Sequence, residues 1–272
     1  MMLKLNRGTN INIINGALHT QGHGELFFMP FLFDEMARER IFRFKHFDVI
    51  NDKTAMKVGT DGVLLGAWCS VEHATRVLDV GTGCGLIALM IAQRNPLAFI
   101  TAIDIDCNAI EEARQNFENS AWRSRLQAQC IDFNHYSEKG DKFDLIVSNP
   151  PFFNAGILPP EESRKLARHT TALTFTQLME KAQRLLNHDG ILSIISPIES
   201  HKEIVESCMS FNLYINKLTE VIPTENSTPK RLLWEISPTL QICNRNTLTI
   251  ATQPMTYTQE YRNLCKDFYL KF

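Results

Sequence analysis

The chain has 272 residues and a formal net charge of -2. That length holds one large α/β domain with small additions and leaves no room for a second full-sized domain. The near-neutral balance excludes a global basic field of the kind that drives tight non-specific nucleic-acid binding, and leaves only a local basic patch.

Residues 1–35 read as a dispensable or non-native extension, poorly ordered. Its apolar run Glu25 to Phe33 is too short to span a bilayer, and no small-residue cleavage site follows it. Residues 36–272 read as one domain, of which 36–75 form an N-terminal cap and cofactor-closing segment. The cap opens with a basic, strand-like stretch, Arg38 to Lys45.

From residue 76 short apolar strands alternate with amphipathic helices. Strands are expected at Arg76–Val80, Ala98–Ile105, Leu126–Ile131, Phe143–Ser148, Ile191–Ile195, Ile215–Ile222 and Leu232–Ile236. Helices are expected at Leu86–Arg94, at Ala109–Asn119 with Asn108 as N-cap, at Phe175–Asn187 ended by Asp189-Gly190, and at Ser200–Phe211. This alternation predicts a seven-stranded, mostly parallel sheet with helices on both faces. The tail from Tyr257 to Phe272 reads as a short helix and an aromatic segment that packs on the core.

The seven cysteines, at 69, 84, 107, 130, 208, 243 and 265, include no CxxC pair. They read as small buried apolar residues in a reducing, cytoplasmic compartment, not as a disulfide framework or a zinc site. No metal, membrane or obligate protein partner is implied.

The chemistry concentrates at strand ends. Asp79-Val80-Gly81-Thr82-Gly83-Cys84-Gly85 lies where the first of these strands meets its helix, and glycines there let the backbone approach a ligand closely. The spacing of Gly81, Gly83 and Gly85 differs from the Gly-x-Gly-x-x-Gly that cradles a pyrophosphate. Asp79 would repel a pyrophosphate but suits the cationic amino group of S-adenosylmethionine. Asp104, with Ile105 beside it, ends the second strand, where a carboxylate accepts hydrogen bonds from both ribose hydroxyls. Asp132 ends the third beside Phe133 and suits an adenine amino group with an apolar cover.

Asn149-Pro150-Pro151-Phe152 ends the fourth strand. Proline leaves its carbonyl free to accept, the Asn149 amide oxygen is a second acceptor, and Phe152 offers a stacking face. Together they suit a flat group bearing –NH2. Thr60-Asp61-Gly62 is expected to close over the methionine end of the cofactor.

Asp-x-Gly-x-Gly-x-Gly, a later strand-end acid and Asn-Pro-Pro-aromatic together resemble the Rossmann-like class I S-adenosylmethionine methyltransferases that act on exocyclic or amide nitrogens. The block Asp52 to Trp68, with its Lys57-Val58-Gly59-Thr60-Asp61-Gly62, Arg168-His169-Thr170 and the ending Asp267 to Phe272 closely resemble the bacterial tRNA1(Val) adenine-37 N6-methyltransferase family over roughly residues 41–272. The resemblance implies methylation of an adenine beside an anticodon, turned out of its stack to reach the pocket. The candidate RNA contacts are Lys57, Arg164, Lys165, Arg168 and His169, with a second basic run at Arg38, Arg40, Arg43 and Lys45. The rival acceptors are a protein glutamine amide and the guanine N2 of ribosomal RNA; enzymes resembling those bring an additional domain.

Overall fold

The structure, a computed structural model, describes residues 3–4, 10–14, 17–20, 41–54, 57–137, 142–150, 173–253 and 256–271. The chain divides into two compact units, residues 1–40 and 41–272. In the first, β1 (Leu3–Lys4), β2 (Asn10–Ile14) and β3 (Ala17–Thr20) form a three-stranded antiparallel sheet, with Ile11 opposite both Leu3 and Thr20.

The second unit opens with a hairpin, β4 (Ile41–Arg43) against β5 (Asp48–Ile50). Next comes α1 (Thr60–Trp68), a helix within the segment expected to close over the cofactor. Its residues from Gly62 to Ala67 are all buried, so it lacks the one-sided stripe that marks a surface helix. A Cβ on Gly66 would lie 2.7 Å from the Met90 sulfur, so this glycine permits close packing on the following helix, α2 (Leu86–Arg94).

Strand β6 (Arg76–Val80), α2, β7 (Phe99–Asp104), α3 (Cys107–Glu118), β8 (Leu126–Cys130) and β9 (Phe143–Ser148) then follow. The remainder is α4 (Phe175–Leu185), β10 (Leu186–Pro197), α5 (His201–Ser210), β11 (Tyr214–Thr224), β12 (Arg231–Ser237), β13 (Asn244–Gln253), β14 (Thr256–Tyr257) and α6 (Gln259–Cys265).

The large sheet has nine strands among the described residues, not seven, in the order β14-β13-β11-β12-β10-β9-β6-β7-β8. The two additional strands are β13 and β14 at one edge, beyond the last strand expected from the sequence. From β10 to β8 neighbouring strands pair in parallel, whereas β12 runs antiparallel between β10 and β11. Because β6 leads to β7 on one side while β9 returns on the other, the strand order reverses at the β6/β9 seam. Open α/β sheets bind their ligands at the carboxyl end of such a seam.

Alternate strand residues feed two cores. Val77, Leu145 and Val147 face one with α1, α2, α3 and α6; Leu78, Val80 and Ile146 face the other with α4 and α5. Phe268 is 2% exposed and belongs to the first core, with Tyr269 packed against it, so this part of the aromatic tail lies where it was expected, whereas Leu270 is 57% exposed.

Three local expectations are corrected. Helix α3 is capped by Asp106, whose side chain accepts from the Asn108 amide, and not by Asn108 itself. Asp189-Gly190 does not end a helix; it lies in β10, where the register with β9 shifts between Leu186 and Ile191. A Cβ on Gly190 would stand 2.8 Å from the Phe143 carbonyl oxygen, so close backbone approach, not helix termination, accounts for that glycine. Cys107 and Cys130 are joined by a disulfide and both are exposed. They meet because α3 starts just past the end of β7 and Cys130 is the register partner of Asp104 on β8, which brings their Cα atoms to 5.1 Å. The other five cysteines are free, and four of them are buried.

Candidate active site and comparison with known proteins

A cavity of about 710 Å³ opens at the carboxyl ends of β6, β7, β8 and β9. Its size suits a cofactor-sized ligand. The glycine loop forms one wall. Gly81, Gly83 and Gly85 have φ of 71°, 56° and 84°, so this turn takes the left-handed region at every second residue. The Gly81 and Thr82 amides both donate to the Ile103 carbonyl, at 2.9 and 3.0 Å, which fastens the loop to β7. A Cβ on Gly81 would meet nothing within 4 Å and would intrude only on the cavity. On Gly85 it would lie 2.5 Å from the Phe117 ring.

Of the three strand-end acids, two line the cavity and one lies beneath it. Asp104 accepts from the Gly83 amide on one oxygen and from the Asp106 amide on the other, both at 2.9 Å. Asp132 accepts from the Asn134 amide at 2.8 Å and meets His135 Nδ1 at 3.1 Å. Each carboxylate retains lone pairs for a ligand. Ile105, 48% exposed, and the buried Phe133 supply apolar wall beside them.

Asp79, in contrast, is fully buried and accepts from the Thr82 hydroxyl at 2.6 Å. It therefore supports the glycine loop from below and does not form part of the cavity wall. Burial pushes its carboxyl up to about 7, and the nearby Asp104 charge adds to the rise, while the Thr82 hydroxyl and the Ala88 amide oppose it.

The acceptor end is set by β9. Ser148 pairs with Val80, and its hydroxyl donates to the Val80 carbonyl at 2.8 Å, which seats Asn149 and Pro150 across the seam from Gly81. Both line the cavity, with Thr60, Asp61 and Gly62 at the start of α1. A Cβ on Gly62 would come within 4.0 Å of the Asn149 amide nitrogen and 3.2 Å of Leu86. Asp61 also receives the Arg231 Nε at 2.8 Å from β12, a partner that sequence reasoning missed. Pro151, Phe152, Arg164, Lys165, Arg168 and His169 lie outside the described residues, as do Arg38 and Arg40.

Lys57 also lines the cavity, but its ammonium is committed. It donates to the carbonyls of Asn51, Asp52 and Thr54 at 3.1, 3.0 and 3.1 Å. The same turn is held from its other side by Glu112, a residue missed in the sequence. Glu112 accepts from the amides of Asp52, Lys53 and Thr54 and from the Thr54 hydroxyl. One turn further along α3, Asn116 bonds both backbone groups of Ile50 and the carbonyl of Cys84. Ala109, Glu112, Ala113, Asn116 and Phe117 are all buried. A carboxylate and an amide within an apolar helical stripe are the signal by which both could have been found.

The model of the Methyltransferase small domain family matches residues 55–212. A crystal structure described as a predicted O-methyltransferase from Agrobacterium tumefaciens superposes with a TM-score of 0.61 at 21% identity, covering 76% of this chain and 96% of that one. The fold is thus that of the class I S-adenosylmethionine-dependent methyltransferases, and S-adenosylmethionine is the cofactor of this class. The alternating glycines, the open space before Gly81 and the two cavity-facing carboxylates fit it.

Sequence relatives narrow the class. The tRNA1(Val) (adenine(37)-N6)-methyltransferase of Flavobacterium psychrophilum is 46% identical over 233 residues, covering 85% of this chain and 100% of the relative. That of Trichodesmium erythraeum is 43% identical over 85% of this chain and 98% of its own length. The chain belongs to the tRNA1(Val) (adenine(37)-N6)-methyltransferase family.

Proposed function

We propose that the protein transfers a methyl group from S-adenosylmethionine to the N6 amino group of adenine 37, next to the anticodon of tRNA1(Val). The observation that carries this reading is the position of Asn149 and Pro150 on the same cavity as the glycine loop, in a chain of this family. The cofactor, when bound, supplies a methyl group made electrophilic by a sulfonium. Asp104 takes the ribose hydroxyls, and Asp132, with Ile105 and Phe133, takes the adenine of the cofactor. The supporting feature is their free acceptor capacity beside apolar wall.

The substrate amino group is a weak nucleophile because its lone pair is delocalised into the ring. The Asn149 side-chain oxygen and the Pro150 carbonyl accept its two hydrogens, localise the lone pair and support the positive charge that develops on nitrogen. Fixed acceptors held by the β6/β9 seam suffice for this, positioning supplies most of the rate, and the extra proton leaves after transfer, when the methylated nitrogen is acidic. Phe152 stacks on the target base beside Pro151. Arg164, Lys165, Arg168 and His169, which follow Phe152 in sequence, contact flanking phosphates. Residues 36–272 make the catalytic domain, residues 1–35 are dispensable, and the protein acts in the cytoplasm without an obligate protein partner. Among the described residues no helix is long and apolar enough to cross a membrane.

Incubation with methyl-labelled cofactor and, separately, total tRNA, ribosomal RNA or release factors tests the reading. Label is expected in tRNA; label in protein or ribosomal RNA alone would contradict it.

A further inference from the structure

We propose that Lys57 and Glu112 are positioning residues for the cofactor: together they clamp residues 51–54 as a wall over the glycine loop, and Lys57 is not a phosphate contact. The inference concerns the cofactor side of the site and rests on the reading of the cavity given above.

The turn at 51–54 carries backbone donors on one side and acceptors on the other, and the two sets are held by opposite charges. Its N–H groups at Asp52, Lys53 and Thr54 point to the Glu112 carboxylate, at 2.5, 2.9 and 3.2 Å. Its carbonyls at Asn51, Asp52 and Thr54 receive the Lys57 ammonium. An ammonium has three N–H donors and no more, and three protein carbonyls take them. A phosphate would have to displace at least one of these bonds.

Glu112 is 2% exposed. Burial alone would raise its carboxyl, but the Thr54 hydroxyl and the amides of Lys53, Asp52 and Thr54 outweigh it and hold the group below the usual range. The charged form is therefore the one the fold requires.

The consequence for the cavity is geometric. Thr54 is buried, lines the cavity, and its methyl group lies 3.3 Å from the position of a Cβ on Gly83. Asn116 joins the same network to the loop by accepting from and donating to Ile50 while also donating to Cys84. The wall and the glycine loop are thus set relative to one another by three side chains, two of them on α3. Without either charge, several oriented backbone groups lose their partner together, and the wall loses its fixed distance from the loop.

The test uses the full chain with Lys57→Met and Glu112→Gln. Cofactor affinity is read by calorimetric titration with S-adenosylmethionine, folding by circular dichroism, and tRNA affinity as a function of salt. Each variant is expected to bind cofactor at least about fivefold more weakly, the scale of a lost charge-assisted hydrogen bond. The Michaelis constant for cofactor should rise while that for tRNA stays, and the salt dependence of tRNA binding by Lys57→Met should match the wild type. A loss smaller than about fivefold in Lys57→Met, or a salt slope lower by about one, would overturn the inference. Lys57 is exposed, so its variant decides the matter even if Glu112→Gln does not fold. A wild-type protein that binds cofactor but methylates no RNA would overturn the functional reading and leave this inference standing.

Discussion

The two halves of the large sheet are built by different rules. On one side of the β6/β9 seam, β6, β7 and β8 are short parallel strands of 5, 6 and 5 residues, and the residues at or just past their carboxyl ends shape the cavity. On the other side β10, β11 and β13 run to 12, 11 and 10 residues, and β12 turns antiparallel between β10 and β11. That half contributes one noted side chain to the site's surroundings, Arg231 on Asp61. Ligand chemistry gathers where a strand hands over to a helix, because backbone groups and strand-end side chains converge there. The other half supplies scaffold instead: β12, antiparallel to both of its neighbours, is buried from Leu232 to Ser237, with Trp234 fully enclosed. Asn149 stands on the seam between the two.

The sharpest way to break this comparison is at the seam. Asn149→Ala is expected to lower turnover by about 10²–10³-fold, as removal of a preorganised polar group at a reacting centre does, while cofactor affinity stays near the wild-type value. Single-turnover methylation with a parallel calorimetric titration checks it. Loss of cofactor binding as well would make Asn149 a cofactor or folding residue and blur the division.

Within the parallel half, Gly85→Ala tests whether the loop is fixed by sterics. Its φ of 84° and the 2.5 Å approach to the Phe117 ring predict a loss of about 2–4 kcal/mol in denaturant unfolding. A loss below about 1 kcal/mol would mean that the loop and ring can relax.

A third effect, read as a dependence on pH, concerns Asp79, which supports that loop from below. Its folded-state carboxyl is raised to about 7 from 3.8, so the folded protein keeps a proton that the unfolded chain releases. The stability this contributes is complete below about pH 4 and disappears as the pH rises through about 7. Relative to wild type, Asp79→Asn should therefore gain thermal stability as the pH is raised from 5 to 8. A difference in melting temperature that does not change with pH would contradict the assignment.

The same contrast governs what the sequence alone makes legible. Helix α2 falls at Leu86–Arg94 as expected, and β6 to β9 agree within two residues, because local pattern and tertiary burial coincide there, whereas β10 starts five residues before its expected first residue. The glycine loop, Asp104, Asp132 and Asn149 are visible for the same reason, as each sits at a strand end. Asp79 is visible but its direction is not: whether a strand-end carboxylate faces a cavity or the loop beneath it depends on the pleat.

Elsewhere tertiary context prevails. Only Leu248 and Ala251 of β13 are buried, too few to mark a strand, and α1 is apolar on every side. Asp106 and Asn108 are both good caps, and the end of β7 at Asp104 decides between them. The Cys107–Cys130 pair becomes evident only once β7 and β8 are known to be neighbours. Lys57 looks like a free cation until the three carbonyls around it are placed.

The central claim is the identity of the methylated atom. The most direct measurement is mass-spectrometric mapping of unmodified tRNA1(Val) after reaction with the wild-type protein and S-adenosylmethionine, with Asn149→Ala alongside. N6-methyladenosine at position 37 with the wild type, and its absence with the variant, is the expected result. A methyl group on any other nucleotide or atom, or none at all, would contradict the account.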